Sequence, residues 1–459
     1  MNTTLLGVVL LLTATTASAD AIDERVTRAL ARGHVPGAAV AVVEDGRISK
    51  IGVYGKANLE WDVDVDKATS FQLASATKIF TGIALMRMVE QRRVSLDDPL
   101  SRFFPTAPAT WSRIRVRQLA NHTSGLSDDL GQPRPQTVAT IVAAAQAKPL
   151  AYEPGSQSRY GFTDFVVLRA VLEQVSGKPL PKLFRDEIFQ PLGLTNPRFA
   201  NARNEGSSIR SADIVPHRAS IHAWKNGHQR VSDFLYGEQG YGAGGLYASI
   251  QDLAEVFVAI DRGRLLKPES WKALQTPPTL PNGKRGGFGI GWTARTYHGA
   301  PVIGHNGGPA LADILRVETR KLTIIALTNQ QRYYPLLAET VVDLYLPPGK
   351  PARVLRDRHP ALTSTMRDVL ADAANAKVDK TRFSGADADQ TTGFLGDFGA
   401  ALLEALGPIR RVDLIADTRD GSTIRRTYRI GFEERSMDWR LVARPDGYIE
   451  ALHPVGEGE

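Results

Sequence analysis

Up to residue 346, the strand-forming segments of this 459-residue chain fall into two groups that lie far apart in sequence, with a long helical stretch between them. The first group is a hairpin: the apolar run 38–43, the turn Glu44-Asp45-Gly46, then a second strand over 48–54. An Asp-Gly pair between two such runs suits the positive-φ positions of a tight hairpin loop. The second group comprises three β-branched runs, 287–294, 312–317 and 322–327, bounded by Gly, Asn and charged turns. Between the groups, residues 96–180 alternate helical patterns with Pro- and Gly-rich loops, among them Pro133 to Pro135 and Pro154-Gly155-Ser156. This order predicts an α/β (α+β) fold, a sheet built from N- and C-terminal strands with a helical insert.

Three helices are expected around that sheet, over 22–32, 75–91 and 163–175, the last with Thr163 or Asp164 as its cap. In 75–91 the residues Ile79, Phe80, Ile83, Met86 and Val89 or Glu90 recur every three to four positions. This helix opens with Ser75-Ala76-Thr77-Lys78, and no other serine in the chain has a lysine three positions on. Residues i and i+3 share a helix face, so the spacing sets an amine beside a hydroxyl. A serine hydroxyl is a poor nucleophile until a neighbouring base takes its proton. A helix N-terminus also offers free N–H groups and a positive dipole end to a developing oxyanion. Standing alone, the pair is equally a helix-start serine with a solvated lysine, so its meaning depends on what accompanies it.

At this length two folded units are expected, and the change comes at Leu346-Pro347-Pro348-Gly349-Lys350-Pro351. The boundaries are 20–346 for the first unit, 347–352 for a linker and 353–459 for a small α+β unit. That second unit is expected to hold helices over 363–376 and 393–406 and a strand over 423–432, in which Ile424, Tyr428, Ile430 and Phe432 share a face, followed by a turn at Pro445-Asp446-Gly447. Packing or oligomerisation is its expected role, because it carries no catalytic set. Residues 1–19 hold no charged side chain, an apolar run over 5–12 and the small-x-small Ala17-Ser18-Ala19, the pattern of a signal peptide cleaved after Ala19. The mature chain is therefore expected to be secreted or periplasmic, with no integral membrane segment. With no cysteine, disulfides and thiol chemistry are excluded. The formal charge of +7 comes from scattered basic residues with short clusters at 353–358 and at Arg425-Arg426. None is interleaved with stacking aromatics, which argues against nucleic acid as a partner.

Further motifs follow the Ser75 helix in order: His122-Thr123-Ser124-Gly125-Leu126, Pro154-Gly155-Ser156 leading to Tyr160, Gly242-Ala243-Gly244-Gly245-Leu246 before Ser249, and Gly304-His305-Asn306-Gly307-Gly308 between two late strands. Together with Phe71-Gln72-Leu73-Ala74-Ser75, they make residues 35–329 resemble the serine acyl-transferases that include class C β-lactamases, DD-peptidases (penicillin-binding proteins) and related esterases. The resemblance implies an antiparallel sheet, an acyl-enzyme on Ser75, and Lys78 and Tyr160 sharing the serine's proton, either of them as base. A lysine ammonium is expected to lower the Tyr160 pKa, and burial to push the lysine toward neutrality. The oxyanion hole would be the N–H groups of Ser75 and Gly308, the latter on a strand edge. His305 takes the place of the lysine in the family's Lys-Thr-Gly pattern and would line the pocket with Asn306 and Gly307. His122 is expected to shape a turn behind the site. The small C-terminal unit is similar to cystatin-like or NTF2-like modules.

One departure bears on the substrate. The family's Tyr-x-Asn is here Tyr160-Gly161-Phe162, so a donor and acceptor for an acyl-amide is replaced by apolar surface. The expectation is an exported serine hydrolase, without metal or cofactor, for ester-like or small acyl substrates. A D-amino-acid peptidase, DD-carboxypeptidase or weak β-lactamase is the alternative, and a retired binding or sensing protein the next. No Gly-x-Ser-x-Gly elbow and no His-Glu-x-x-His motif occurs, and Gly242 to Gly245 lacks the Lys-Ser/Thr of a phosphate loop. That run is read instead as a turn entering a helix capped by Ser249 and Asp252. His217, His222 and His228 are expected at the surface.

Overall fold

The computed structural model describes residues 19–131, 137–205, 208–232, 235–308, 311–331, 337–349, 351–385 and 387–456. The expected signal peptide up to Ser18 and the prolines at 133 and 135 lie outside them. Helix α1 (Ala19–Arg32) leads into a hairpin of β1 (Gly37–Glu44) and β2 (Arg47–Asn58). Asp45 and Gly46 turn it with φ of +46° and +72°, as the Asp-Gly pair predicts. The short β3 (Val63–Asp64) and the late strands β4 (Thr293–Tyr297), β5 (Ala300–Gly307), β6 (Ala312–Val317) and β7 (Leu322–Thr328) complete a seven-stranded sheet, ordered β4-β5-β6-β7-β1-β2-β3. Every pairing in it is antiparallel. Early and late strands meet where Ala38 to Glu44 pair with Thr328 to Leu322.

The composition of β1 follows from this position. Ala39, Ala41 and Val43 pack with Phe71, Leu73, Ile79 and Ile83 of the helical insert. Ala38, Val40 and Val42 pack with Ile22, Val26 and Leu30 of α1 and with Leu337 and Val341 of α5 (Leu337–Val342). A strand covered on both faces needs an apolar residue at every covered position, and β1 has one at each from Ala38 to Val43. Helix α2 (Thr77–Glu90) is buried from Thr77 to Met86, so it is apolar nearly all round rather than amphipathic. Helices α3 (Phe162–Ser176) and α4 (Ile250–Asp261) complete the frame of the site. Helix α4 starts with the Ser249–Asp252 capping box.

Two segments differ from expectation. Of the run 287–294, only Thr293 and Ala294 are strand, because Gly291 bends the chain against α2 and Gly289 passes close to Leu274 at the end of the helix Pro268–Gln275. A Cβ on Gly291 would lie 2.3 Å from the Lys78 carbonyl oxygen, and one on Gly82 2.1 Å from that of Ile290. Conversely, His305 to Gly307 do not lie between strands but are the end of β5 itself. The sequence of β5 holds Pro301, Gly304, Asn306 and Gly307, residue types that local preference keeps out of strands. Pairing with β4 and β6 on either side overrides that preference.

His222 is also a correction. It is 1% exposed, on a strand (His222–Lys225) that pairs with Gln330–Gln331 and forms a hairpin with His228–Val231. Of the three histidines expected at the surface, His217 and His228 are there.

Beyond the first unit, helix α6 (Pro360–Ala374) and the helices α7 (Ala388–Phe394) and α8 (Ala400–Leu406), joined by a π turn, pack on a meander of β8 (Ile409–Asp420), β9 (Thr423–Phe432), β10 (Ser436–Ala443) and β11 (Ile449–Val455). This sheet has its own core, including Met366, Leu370, Leu402, Tyr428, Ile430 and Trp439. Arg426 shares the buried face of β9 and is held there by Asp357 and Asp417 at 3.1 and 3.0 Å. Arg435 reaches back to the first unit, to Glu339 at 2.7 Å and to Asp343. Among the described residues no helix is long and apolar enough to cross a membrane, and no cluster of side chains could hold a metal ion.

Candidate active site

Ser75 lies in a tight turn, Ala74–Ala76, just before α2 begins at Thr77, rather than within the α-helix itself. Ala74 has φ of +43°, a region that L-residues seldom adopt and that is tolerated where surrounding contacts enforce it. The contact here is with β5. A Cβ on Gly307 would come 2.1 Å from the Leu73 carbonyl oxygen and 3.2 Å from the Ala74 Cβ, so the close approach demands glycine at that position. Gly308 follows in an exposed turn, with nothing within 4 Å of where a side chain would project.

Lys78 is one turn on and only 2% exposed. Its Nζ donates to the Ala243 carbonyl at 2.7 Å and sits 4.8 Å from the centre of the Tyr160 ring and 5.1 Å from that of Phe165. Burial pushes its pKa down to about 7, against the upward pull of Asp128 and Asp164. Two more residues of α2 hold the glycine-rich turn: Thr81 Oγ1 donates to the Gly242 carbonyl at 2.7 Å, and Thr77 Oγ1 accepts from Leu246 N–H at 3.1 Å. A Cβ on Gly242 would lie 2.5 Å from the Phe165 carbonyl oxygen, so this glycine lets the turn pass beside α3.

The Tyr160 phenol lies beside the Ser75 side chain, an interaction that works against the rise in its pKa. The residue is 48% exposed, yet the protein around its phenol desolvates it enough to raise its pKa. The expected lowering by Lys78 is therefore overturned. The amine lies over the ring face and is itself pushed toward neutrality, so it brings little positive charge to the phenol oxygen. The backbone around Tyr160 is fastened on both sides. Arg159 N–H donates to the His122 carbonyl at 2.9 Å, and Gly161 N–H to His122 Nδ1 at 3.2 Å. Phe162 and Thr163 N–H groups donate to the Asp128 carboxylate at 2.9 and 2.8 Å. Asp128 thus takes the N-terminal N–H groups of α3, where Thr163 or Asp164 was expected, and Gly161 occupies the cap position.

Asp164 is instead buried, accepting from Ser124 Oγ and lying 2.9 Å from His122 Nδ1. Burial raises its pKa well above the carboxylate range and drops that of His122 to about 3. His122 is thereby a neutral brace behind Tyr160, with ring centres 4.7 Å apart.

His305 is buried as well, and its Nδ1 lies 2.6 Å from the Asn306 carbonyl oxygen. A carbonyl only accepts, so Nδ1 carries the hydrogen and Nε2 keeps its lone pair. Burial holds this imidazole neutral, lowering its pKa to about 3. Its ring centre is 6.1 Å from that of Tyr160. Asn306 is exposed and faces Asp313 across the sheet register. Phe162 is partly exposed at the start of α3.

Residues 22–343 match the family model named Beta-lactamase. The chain belongs to the beta-lactamase family. Protein flp of Staphylococcus aureus (strain N315) is 25% identical over 218 residues, 44% of each chain, so this chain spans less than half the length of that relative. The octameric penicillin-binding protein homologue from Pyrococcus abyssi is similar in fold over 96% of this chain and 99% of its own, with a TM-score of 0.62 and 19% identity. The D-amino acid amidase from Ochrobactrum anthropi SV3 is similar over 70% of this chain and 96% of its own, with a TM-score of 0.57 and 22% identity. The likeness to the Pyrococcus abyssi protein takes in the C-terminal sheet.

Two residues that the fold brings to this candidate site are not legible in the sequence. Asp128 acts on N–H groups 34 and 35 residues away, a distance no local pattern reveals. Tyr236 comes from the segment 205–239, whose course the sequence does not disclose, and its buried phenol lies near Ser75. Its one trace in the sequence is the run of glycines from Gly240 to Gly245, which marks a place where some large side chain lies close.

Proposed function

We propose that this member of the family is a serine hydrolase that forms an acyl-enzyme on Ser75 and acts on ester-like or small acyl substrates. The observation that carries the reading is the contact of Ser75 with Tyr160, beside a buried lysine whose pKa of about 7 leaves it able to accept a proton. Ser75 Oγ attacks the carbonyl carbon while its proton passes to the Tyr160–Lys78 pair. The N–H groups of Ser75 and Gly308 take the oxyanion, and the open space before Gly308 suits a carbonyl oxygen entering there. The leaving alcohol departs with the proton, and water repeats the sequence on the ester. His305, through the lone pair of Nε2, and Asn306 would accept and donate hydrogen bonds at the pocket edge, with Gly307 holding that edge against the nucleophile turn.

The preference for esters rests on Phe162, which stands where the family's asparagine meets an acyl-amide, and on Phe288, whose ring lies 5.7 Å from that of Tyr160. An amide or D-amino-acid peptide substrate is the second reading, favoured by the likeness to the D-amino acid amidase. Retention of Ser75, Lys78 and Tyr160 together argues against a retired binding protein. Export is part of the proposal through the apolar run at 5–12 and Ala17-Ser18-Ala19.

Intact-mass measurement of the wild type and of Ser75→Ala, after a fluorophosphonate and separately after a penicillin, tests the acyl-enzyme. Release of p-nitrophenol from acetyl and butyryl esters is compared with hydrolysis of an acyl-D-Ala-D-Ala peptide. The proposal expects labelling and esterase activity that vanish in Ser75→Ala. Faster turnover of the peptide or of a cephalosporin than of any short ester would move the substrate to the second reading.

A further inference from the structure

We propose that the substrate is an ester bearing an aromatic ring, held against an arc of four side chains, Phe288, Tyr160, Tyr236 and Phe162, and that Phe162 sets this preference. The inference deepens the ester reading above and rests on it. The arc is continuous. The Phe288 ring lies 5.7 Å from that of Tyr160. The Lys78 amine sits 4.8 Å from the Tyr160 ring centre and donates to the Ala243 carbonyl at 2.7 Å. On the next residue, Gly244, a Cβ would lie 2.3 Å from Tyr236 Cε1 and 2.4 Å from its Cζ. Tyr160 and Tyr236 therefore both border the amine that follows Ser75 by one turn. Tyr236 in turn meets Phe162 at Gly240, where a Cβ would lie 3.1 Å from Tyr236 Cδ1 and 3.5 Å from Phe162 Cε2. Phe162 follows Tyr160 in the chain with only Gly161 between them, which closes the arc.

None of the four rings is fully buried. Tyr160 and Phe162 are 48% and 37% exposed and Tyr236 and Phe288 are half-buried, whereas Phe165, one turn further along α3, lies wholly in the core. The polar groups behind the arc are already engaged. The Asp128 carboxylate takes the Phe162 and Thr163 N–H groups, and His122, stacked behind Tyr160, takes the Gly161 N–H on Nδ1. What the arc presents to a substrate is ring surface.

Two aromatic rings attract where the positive edge of one meets the negative face of the other, and such a pair is worth more than the area it buries. A saturated group of the same volume gains from the area alone. Phe162 decides between them. Its N–H is tied to Asp128 at 2.9 Å and its ring lies against Gly240, so it is already in place when a substrate ring arrives. A leucine there keeps apolar surface and loses the ring face. Tyr160 belongs to the base pair, so specificity is read at Phe162 and Phe288 instead.

Acid release in a pH-stat compares two matched pairs of esters. Methyl phenylacetate against methyl cyclohexylacetate places the ring in the acyl half, and benzyl acetate against cyclohexylmethyl acetate places it in the alcohol half. In the wild type the aromatic member of at least one pair is expected to have the higher kcat/KM, by about 2- to 12-fold, the factor that one ring pair supplies. The pair that shows it tells which half of the ester the arc holds. In Phe162→Leu that ratio falls toward 1. Ratios near 1 in both pairs for the wild type, or a wild-type ratio retained in Phe162→Leu, overturn the proposal. A thermal melt checks that the variant is folded; if it is not, Phe288→Leu is read by the same ratios with the same fall expected. Wild type that takes no fluorophosphonate adduct on Ser75 overturns the ester reading and this inference with it, whereas an adduct together with ratios near 1 overturns this inference alone.

Discussion

Lys78 is where the balance of burial against charge decides behaviour. Its amine has left water for a site between aromatic rings and a carbonyl, and the loss of hydration outweighs the pull of Asp128 and Asp164. A base must be unprotonated to act, so kcat/KM for ester hydrolysis is expected to rise with pH, with an apparent pKa of about 7, and to level off above it. A pH–rate profile checks this, and a rate that falls between neutral and mildly alkaline pH contradicts it. The same shift has a stability sign. The folded pKa of about 7 lies below the ordinary 10.5, so between these values the unfolded chain holds a proton that the folded chain lacks. Stability therefore rises with pH across that window, and urea titrations at several pH values should show the slope flatten in Lys78→Met. The pairing of Ser75 with Lys78 was legible because three positions along a chain is a local relation. The direction of the Tyr160 shift was not, because it depends on how much protein surrounds the hydroxyl and on which face of the ring the amine occupies.

At the level of elements, α3 is the instructive case. Its apolar pattern announced it, and its end is marked by Gly177 in the left-handed region at φ +67°. Its start was misassigned, because Thr163 and Asp164 have the chemistry of caps yet point into the core, and the carboxylate that takes the free N–H groups arrives from the loop containing Asp128. That bond also fixes Gly161 and Tyr160, so its loss should reach catalysis. Asp128→Ala is expected to cost about 0.5–2 kcal/mol of stability, the range for a lost cap. Under conditions where the variant remains folded, kcat/KM is expected to drop as Tyr160 loses its place. Calorimetry with ester kinetics on the same preparation checks both, and an unchanged kcat/KM would separate the cap from the site. Strand β5 teaches the complementary lesson. Gly307 is glycine for a neighbour's sake, since the Ala74 turn presses on it, and no preference of residues 300–307 for a strand reveals that pressure.

Across the whole molecule, charged side chains join the two units. Arg435 lies between β10 and the first unit, contacting Glu339, Asp343 and the hydroxyl of Tyr297, while Arg32 of α1 pairs with Glu433 and Glu434 at 3.2 and 2.8 Å. Removing one member of a buried ion network leaves the others uncompensated, so Arg435→Met is expected to destabilise the protein by about 3–5 kcal/mol. Adding Glu339→Gln and Asp343→Asn should recover part of that loss, and denaturant melts of the single and triple variants check it. By itself the sequence determined what depends on neighbours along the chain: the Asp45-Gly46 hairpin, the doubly apolar β1, the Ser75–Lys78 pair and the extent of β9, all set by periodicity and turn chemistry. Only the tertiary structure decided which distant groups meet. It brought Tyr236 to Ser75, Asp128 to α3, β5 into the sheet and Arg426 into a core, because close approach and burial are properties of the folded space between segments, not of any one of them.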